Sequence, residues 1–118
     1  MKIRYPAKAL LLLLILVPAF GQAATPEYII EIRDHLFYPS ELTSPSGVKV
    51  KLRIVNTDAT AEEFESYELN REKVILGGRK AIVFIGPLAP GEYPFFGEFN
   101  PQTALGTILV VAEADAAK

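Results

Sequence analysis

The chain has no cysteine and no tryptophan, a single histidine (His35) and a single methionine at position 1. Without cysteine there is no disulfide, no thiolate metal centre, no thiol nucleophile and no acceptor for an N-terminal lipid. One histidine rules out the two-histidine zinc helix H-E-x-x-H. No glycine-rich phosphate loop and no nucleophile-elbow serine occur. These absences argue against a hydrolase or a transferase. Long apolar runs are scarce as well. Ala9 to Phe20 is too short to cross a bilayer, which takes about 20 residues.

What is present begins with an address. Lys2, Arg4 and Lys8 precede that apolar run, and Gly21-Gln22-Ala23 places small residues where a signal peptidase reads them. The expectation is a cleaved signal peptide over residues 1–23 and a mature periplasmic chain over 24–118, with no stable membrane insertion after cleavage. That leaves one domain with one modest core. Packing alone must hold it, because the oxidising compartment has no thiols to join. Removal of Lys2, Arg4 and Lys8 leaves nine basic residues against fourteen acidic ones. Nucleic acid and anionic lipid are poor partners for that balance, whereas cations and basic proteins suit it.

The patterning is that of short strands. Tyr28-Ile29-Ile30-Glu31-Ile32 is β-rich. Val48, Val50, Leu52 and Ile54 alternate with Lys49, Lys51 and Arg53, which predicts a half-buried strand with a basic outer side. Ala81 to Ile85 is a continuous apolar strand bounded by Gly77-Gly78 and by Gly86-Pro87 and Pro90-Gly91. Ala59 to Leu69 is ambiguous, with helix-compatible composition. Near the end, Tyr93, Phe95 and Gly97 alternate toward one side, and Gly106 to Val111 reads as a closing strand. The tail from Ala112 to Lys118 is expected to fray. The class is all-β, a sandwich or barrel.

The segment Pro90-Gly91-Glu92-Tyr93-Pro94-Phe95-Phe96-Gly97 through Gly106-Thr107-Ile108-Leu109-Val110-Val111 resembles the C-terminal signature of the cupredoxins, P-G-x-Y-x-F-x-C-x-x-H…M-x-G-x-I-x-V. On that alignment the family's cysteine position is Gly97, its histidine is Asn100, and its methionine falls on Ala104 or Leu105. A type 1 copper site needs two histidines and a thiolate, so that site is excluded here. His35-Leu36-Phe37-Tyr38-Pro39, Glu62-Glu63-Phe64-Glu65-Ser66 and Phe95-Phe96-Gly97-Glu98-Phe99 carry the likeness further. Over about residues 27–112 the chain is similar to the small periplasmic cupredoxin-like proteins of bacterial iron permease systems, related to EfeO-type cupredoxin domains. The resemblance implies a cupredoxin-like Greek-key β-sandwich, with a strand over Glu63 to Leu69. It also implies a periplasmic role in iron uptake, iron or non-blue copper as the bound metal, assistance to Fe(II) oxidation, and an iron permease and a periplasmic iron-binding protein as partners.

The candidate metal ligands are Glu63, Glu65, Glu98, His35 and Asp34. Glu63 is expected where the family's first copper histidine falls, sharing one strand side with Glu65 and Tyr67. Two carboxylates there suit a hard, oxygen-preferring cation; a solvated acidic edge strand is the plainer account. Glu98, between Phe96 and Phe99, is expected to be partly buried, with Arg71 or Lys73 as a charge partner if no metal is present. His35 is the lone imidazole, and Asp34 beside it is placed to orient the ring or to bind directly. Glu31 is a weaker addition. Arg71-Glu72-Lys73 reads as a solvated turn or as a docking surface. The expected function is a metal-binding accessory of an iron-uptake permease. The alternative is a metal-free adaptor on the same fold.

Overall fold

Apolar residues at every second position form the strands and leave two sides to be covered. In β4 (Val50–Asn56) Val50, Leu52 and Ile54 are buried while Lys51, Arg53 and Val55 are partly exposed, the alternation a half-buried strand requires. The expected strand therefore exists, displaced two residues toward the C-terminus. The computed structural model describes residues 24–112. The signal peptide expected over residues 1–23, and residues 113–118 of the tail expected to fray from Ala112, lie outside the described residues.

The remaining strands are β1 (Glu27–Arg33), β2 (Leu36–Tyr38), β3 (Glu41–Pro45), β5 (Glu62–Ser66), β6 (Arg71–Ile75), β7 (Lys80–Ile85), β8 (Gly91–Gly97) and β9 (Leu105–Val111). They form two sheets, with orders β2-β1-β4-β7 and β3-β9-β8-β5-β6. Each sheet is mixed: β1 runs parallel to β4, and β3 parallel to β9. Among the described residues there is no helix. The architecture is the cupredoxin-like Greek-key β-sandwich expected from the sequence.

The ambiguous segment is a strand, but a shorter one than expected. β5 ends at Ser66, because Tyr67 to Asn70 turn the chain into β6. Ser66 holds that turn: its Oγ accepts from the Leu69 N–H at 3.1 Å and donates to the Pro94 carbonyl at 2.7 Å.

The core lies between the sheets. Ile30, Ile32, Leu52 and Ile54 of one sheet meet Phe64, Phe95, Ile108 and Val110 of the other. Phe95 is at the centre of three rings, 5.0 Å from Phe37 edge-to-face and 5.0 Å from Phe64. Full burial of side chains this size stabilises by about 1.5–3 kcal/mol each. That is how the domain does without disulfides.

The outer faces of the two sheets differ in sign. On β1, β4 and β7 the outward positions include Arg33, Lys51, Arg53 and Lys80, with Glu27 and Glu31 among them. Arg53 pairs with Glu27, and the Arg33 guanidinium lies 4.3 Å from the centre of the Tyr38 ring. On the other sheet the outward strand positions include Glu41, Glu63, Glu65, Glu72 and Glu92 and no lysine or arginine. Arg71 and Lys73 are registered with Ser66 and Phe64, so they lie on the opposite side of β6 from Glu72. Arg71 donates through Nε to the Phe84 carbonyl at 2.9 Å, toward the other sheet.

Candidate functional site

Phe64 is fully buried, and the two-residue period of a strand carries its neighbours with it. Glu62 and Ser66 therefore face inward with Phe64, while Glu63 and Glu65 face outward. Glu62, at 1% exposure, is thus the inward carboxylate of β5. Glu63, expected at the position of the family's first copper histidine, faces outward, and the inward carboxylate beside it is Glu62.

Three donors converge on the Glu62 carboxylate. Oε1 accepts from the backbone N–H of Glu63 and of Phe99, both at 2.9 Å. Oε2 accepts from Asn100 Nδ2 at 2.7 Å. A carboxylate is an acceptor-only group when ionised, and every contact given to this one is a donor. The neighbours on the other side are Gly97 and Ala104. A Cβ placed on Gly97 would lie 2.6 Å from Glu62 Cδ, 2.7 Å from Oε2 and 2.8 Å from the Ala104 Cβ. Gly97 and Asn100, aligned with the family's cysteine and histidine, and Ala104, one of the two positions aligned with its methionine, thus lie about the end of the Glu62 side chain. The segment between them is a closed turn: Gly97 N–H donates to the Ala104 carbonyl at 2.8 Å, and Ala104 N–H to the Asn100 carbonyl at 2.9 Å.

This interior does not fit copper. It offers one carboxylate already accepting three hydrogen bonds, one amide, and no imidazole or thiolate, where a blue centre takes two imidazoles and a thiolate. A cysteine at 97 would also need the carboxylate to leave. Glu62 was missed because Glu62 and Glu63 are the same residue type in succession. The signal that identifies the inward one is Phe64, two residues on.

Glu63 and Glu65 do come together, as expected, but with Glu72 and on the outer face. Antiparallel pairing sets Glu65 opposite Glu72 and Glu63 opposite Val74. The three carboxylates each offer an oxygen, all within 4.8 Å of one another. Partial burial raises the Glu65 carboxyl above its ordinary range, and the charges of Glu72 and Glu63, then Glu98, push the same way. Across the sheet, Glu65 is registered with Phe96, and Phe96 with Leu105. The ring of Tyr67 lies 5.5 Å from that of Phe96. A shallow cleft of about 350 Å³ opens beside Glu65 and Glu72, walled by Tyr67, Asn70 and Arg71.

The other predicted residues are elsewhere. Glu98 is exposed rather than partly buried, because the chain leaves β8 at Gly97 and turns outward. Its backbone N–H donates to the Glu63 carbonyl at 2.9 Å. Glu98 lies outside the three-carboxylate group and reaches it only through its charge on Glu65. No ion pair to Arg71 or Lys73 occurs among the described residues.

Asp34 and His35 belong to the opposite sheet, in the tight turn between β1 and β2. Both have positive φ, 52° and 60°. Asp58 makes that turn tenable by accepting from the Asp34 N–H at 2.8 Å and the His35 N–H at 2.9 Å. Those two N–H groups, that of His35 foremost, hold the Asp58 carboxyl below its ordinary range. Asp58 Oδ2, not Asp34, is the carboxylate near the imidazole, 3.8 Å from Nδ1. Glu31 is on the outer side of β1, 3.4 Å from Arg33.

A model of the cupredoxin-like domain matches residues 7–110. An uncharacterised protein of Rickettsia prowazekii (strain Madrid E) is 43% identical over 84 residues, which are 71% of this chain and 67% of that protein. Among solved structures, auracyanin A, a blue copper protein of Chloroflexus aurantiacus, superposes with a TM-score of 0.65 at 14% identity, covering 75% of this chain and all of that one. The metal-binding domain of the Cu(I)-exporting P-type ATPase CopA of Streptococcus pneumoniae D39 gives 0.62 at 14% identity, over 72% of this chain and 84% of that one. A purple cupredoxin of Nitrosopumilus maritimus gives 0.55 at 18% identity, over 70% and 98%. At such identities the likeness is one of fold.

Proposed function

The chain belongs to the cupredoxin-like domain family, matched over most of its length, and from that footing we propose that it is a periplasmic accessory of an iron-uptake permease. In this reading it carries a hard cation as cargo on its outer face, not copper in its interior. The observation that carries it is the grouping of Glu63, Glu65 and Glu72, with ligand oxygens within 4.8 Å of one another. The face around them has no lysine or arginine at its outward strand positions. Oxygen donors of this kind select hard cations over thiophilic ones. A cation there relieves the mutual repulsion that raises the Glu65 carboxyl. The partners would be the iron permease and a periplasmic iron-binding protein, which exchange the cargo with an open face more readily than with a closed core.

Calorimetric titration of the metal-free protein with ferric citrate, ferrous iron and Cu(II) tests this. Saturable iron binding that is lost in the triple variant Glu63→Gln, Glu65→Gln, Glu72→Gln is the expected result. Iron binding that survives the triple variant moves the site elsewhere. No iron binding by the parent leaves the second reading, a metal-free adaptor. That reading is favoured by one feature: Tyr67, Phe96 and Leu105 form an apolar row beside the carboxylates, with Tyr67 73% and Leu105 55% exposed. Apolar side chains rimmed by charge of one sign are a usual form of protein-docking surface.

A further inference from the structure

We infer that the interior of this domain retains a binding site of changed chemistry, a carboxylate-binding cradle, and that Glu62 is its built-in ligand. Three observations bear on it. The donors Glu63 N–H, Phe99 N–H and Asn100 Nδ2 come from two separated stretches of chain and meet at one buried point, 2.7–2.9 Å from the Glu62 oxygens. Two of the three belong to the segment after β8, so the carboxylate ties that segment to β5. The cradle is also shaped for this occupant. Gly97 and Ala104 supply the space, and any Cβ at 97 would collide with the Glu62 Cδ. That carboxylate is held by its three hydrogen bonds, which a shift away from position 97 would break.

The consequence is a segment, residues 98–104, closed onto β5 by an anion instead of by a cation. In a metal site the loop contributes lone pairs to a positive centre. Here the loop contributes N–H groups to a negative one. The polarity of the whole site is inverted, and the ligand is part of the chain. The domain consequently holds residues 98–104 in one shape without a metal. This does not rest on the reading of the outer carboxylates as a cation site, since it concerns the opposite side of β5.

Truncation of the ligand tests the cradle. Glu62→Ala removes Cγ, Cδ and both oxygens, which are the heavy atoms of acetate. The donors then face a cavity of that size without their carboxylate partner, a costly arrangement for part-buried N–H groups. Glu62→Ala is expected to melt at least ~8 °C lower than the parent. Amide hydrogen exchange at Glu63 and Phe99 should quicken at least tenfold, with Leu52, Ile54 and Val110 still protected. Acetate at about 0.1 M should restore both readouts, since a ligand that binds only the folded state stabilises it by mass action. Sodium chloride or acetamide at the same concentration should not. Acetate no better than sodium chloride overturns the cradle and leaves Glu62 as a filler of volume. If Glu62→Ala does not fold, Glu62→Gln decides, because it keeps the volume and replaces one acceptor by a donor. Selective loss of protection at Glu63 or Phe99 in that variant supports the cradle, and unchanged protection at both overturns it.

Discussion

Glu62 and Glu63 are adjacent in the chain and carry the same carboxyl group, yet their surroundings are opposite. Glu62 has three N–H donors and no carboxylate among its contacts. Glu63 has carboxylates for neighbours, Glu65 and Glu72. The first is a charge whose needs the protein meets itself. The second is a charge the protein leaves for something else to meet. Burial alone therefore does not distinguish a carboxylate whose neighbours satisfy it from one whose neighbours repel it.

The largest effect separates the inner side of β5 from the outer. Phe64→Ala, on the inner side, should cost about 3–5 kcal/mol, measured by urea denaturation. Glu65→Gln, next to it on the outer side, should leave the midpoint equal or raised. Similar losses from both would mean that the two sides are not energetically distinct.

A smaller effect probes the fit of the inner carboxylate. Gly97→Ala places a methyl against Glu62 and should cost about 1–3 kcal/mol, as overpacking does. The same change in a Glu62→Ala background should cost much less. The coupling is read from a double-mutant cycle. Additive losses would place the Gly97 clash elsewhere.

The outer carboxylates are judged by affinity. Glu63→Gln should weaken iron binding at least tenfold, or about 1.4 kcal/mol, without loss of metal-free stability. Unchanged affinity in a parent that binds iron would remove Glu63 from the site.

The smallest effect is a pH slope. The Glu65 carboxyl is raised in the folded state. Its protonated form is therefore favoured by folding, and its contribution to stability is present below its unfolded pKa and fades as pH rises through the folded value. Glu65→Gln should flatten the fall in melting temperature above about pH 4.5. Asp58 has the opposite sign, because its carboxyl is lowered. Its contribution is present above its unfolded value and is lost as pH falls through the folded one. Asp58→Asn should therefore flatten the acid limb. A thermal melt series from pH 3 to 7 checks both.

Much of the fold could be read in advance from period and punctuation. Val50, Leu52 and Ile54 alternate cleanly, and the turns at Gly86-Pro87 and Pro90-Gly91 bound β7 and β8 where expected. The absence of thiolate copper followed from composition alone. The parity of β5 was less accessible. A one-residue slip exchanges every side chain between the two faces, and Glu-Glu reads the same either way. Phe64 breaks the tie, since a phenylalanine between charged residues in a strand of a small sandwich belongs inside. The five predicted ligands were not separable from local pattern. Asp34 and His35 lie on one sheet and Glu63 and Glu65 on the other, and only the long-range strand order shows it. Asp58 was invisible for the same reason. Its partners are 23 and 24 residues away.

The opposite signs of the two outer faces bear on how the molecule meets others. Stacked sheets pack about 10 Å apart, and the screening length at physiological salt is about 8 Å. Each face is therefore felt by an approaching body largely without the other. Net charge is then the wrong quantity for predicting what the domain attracts. An anionic surface and a cationic one would both draw it in, each turning it to a different side. The domain so held would keep the three outer glutamates pointed away from the first and toward the second.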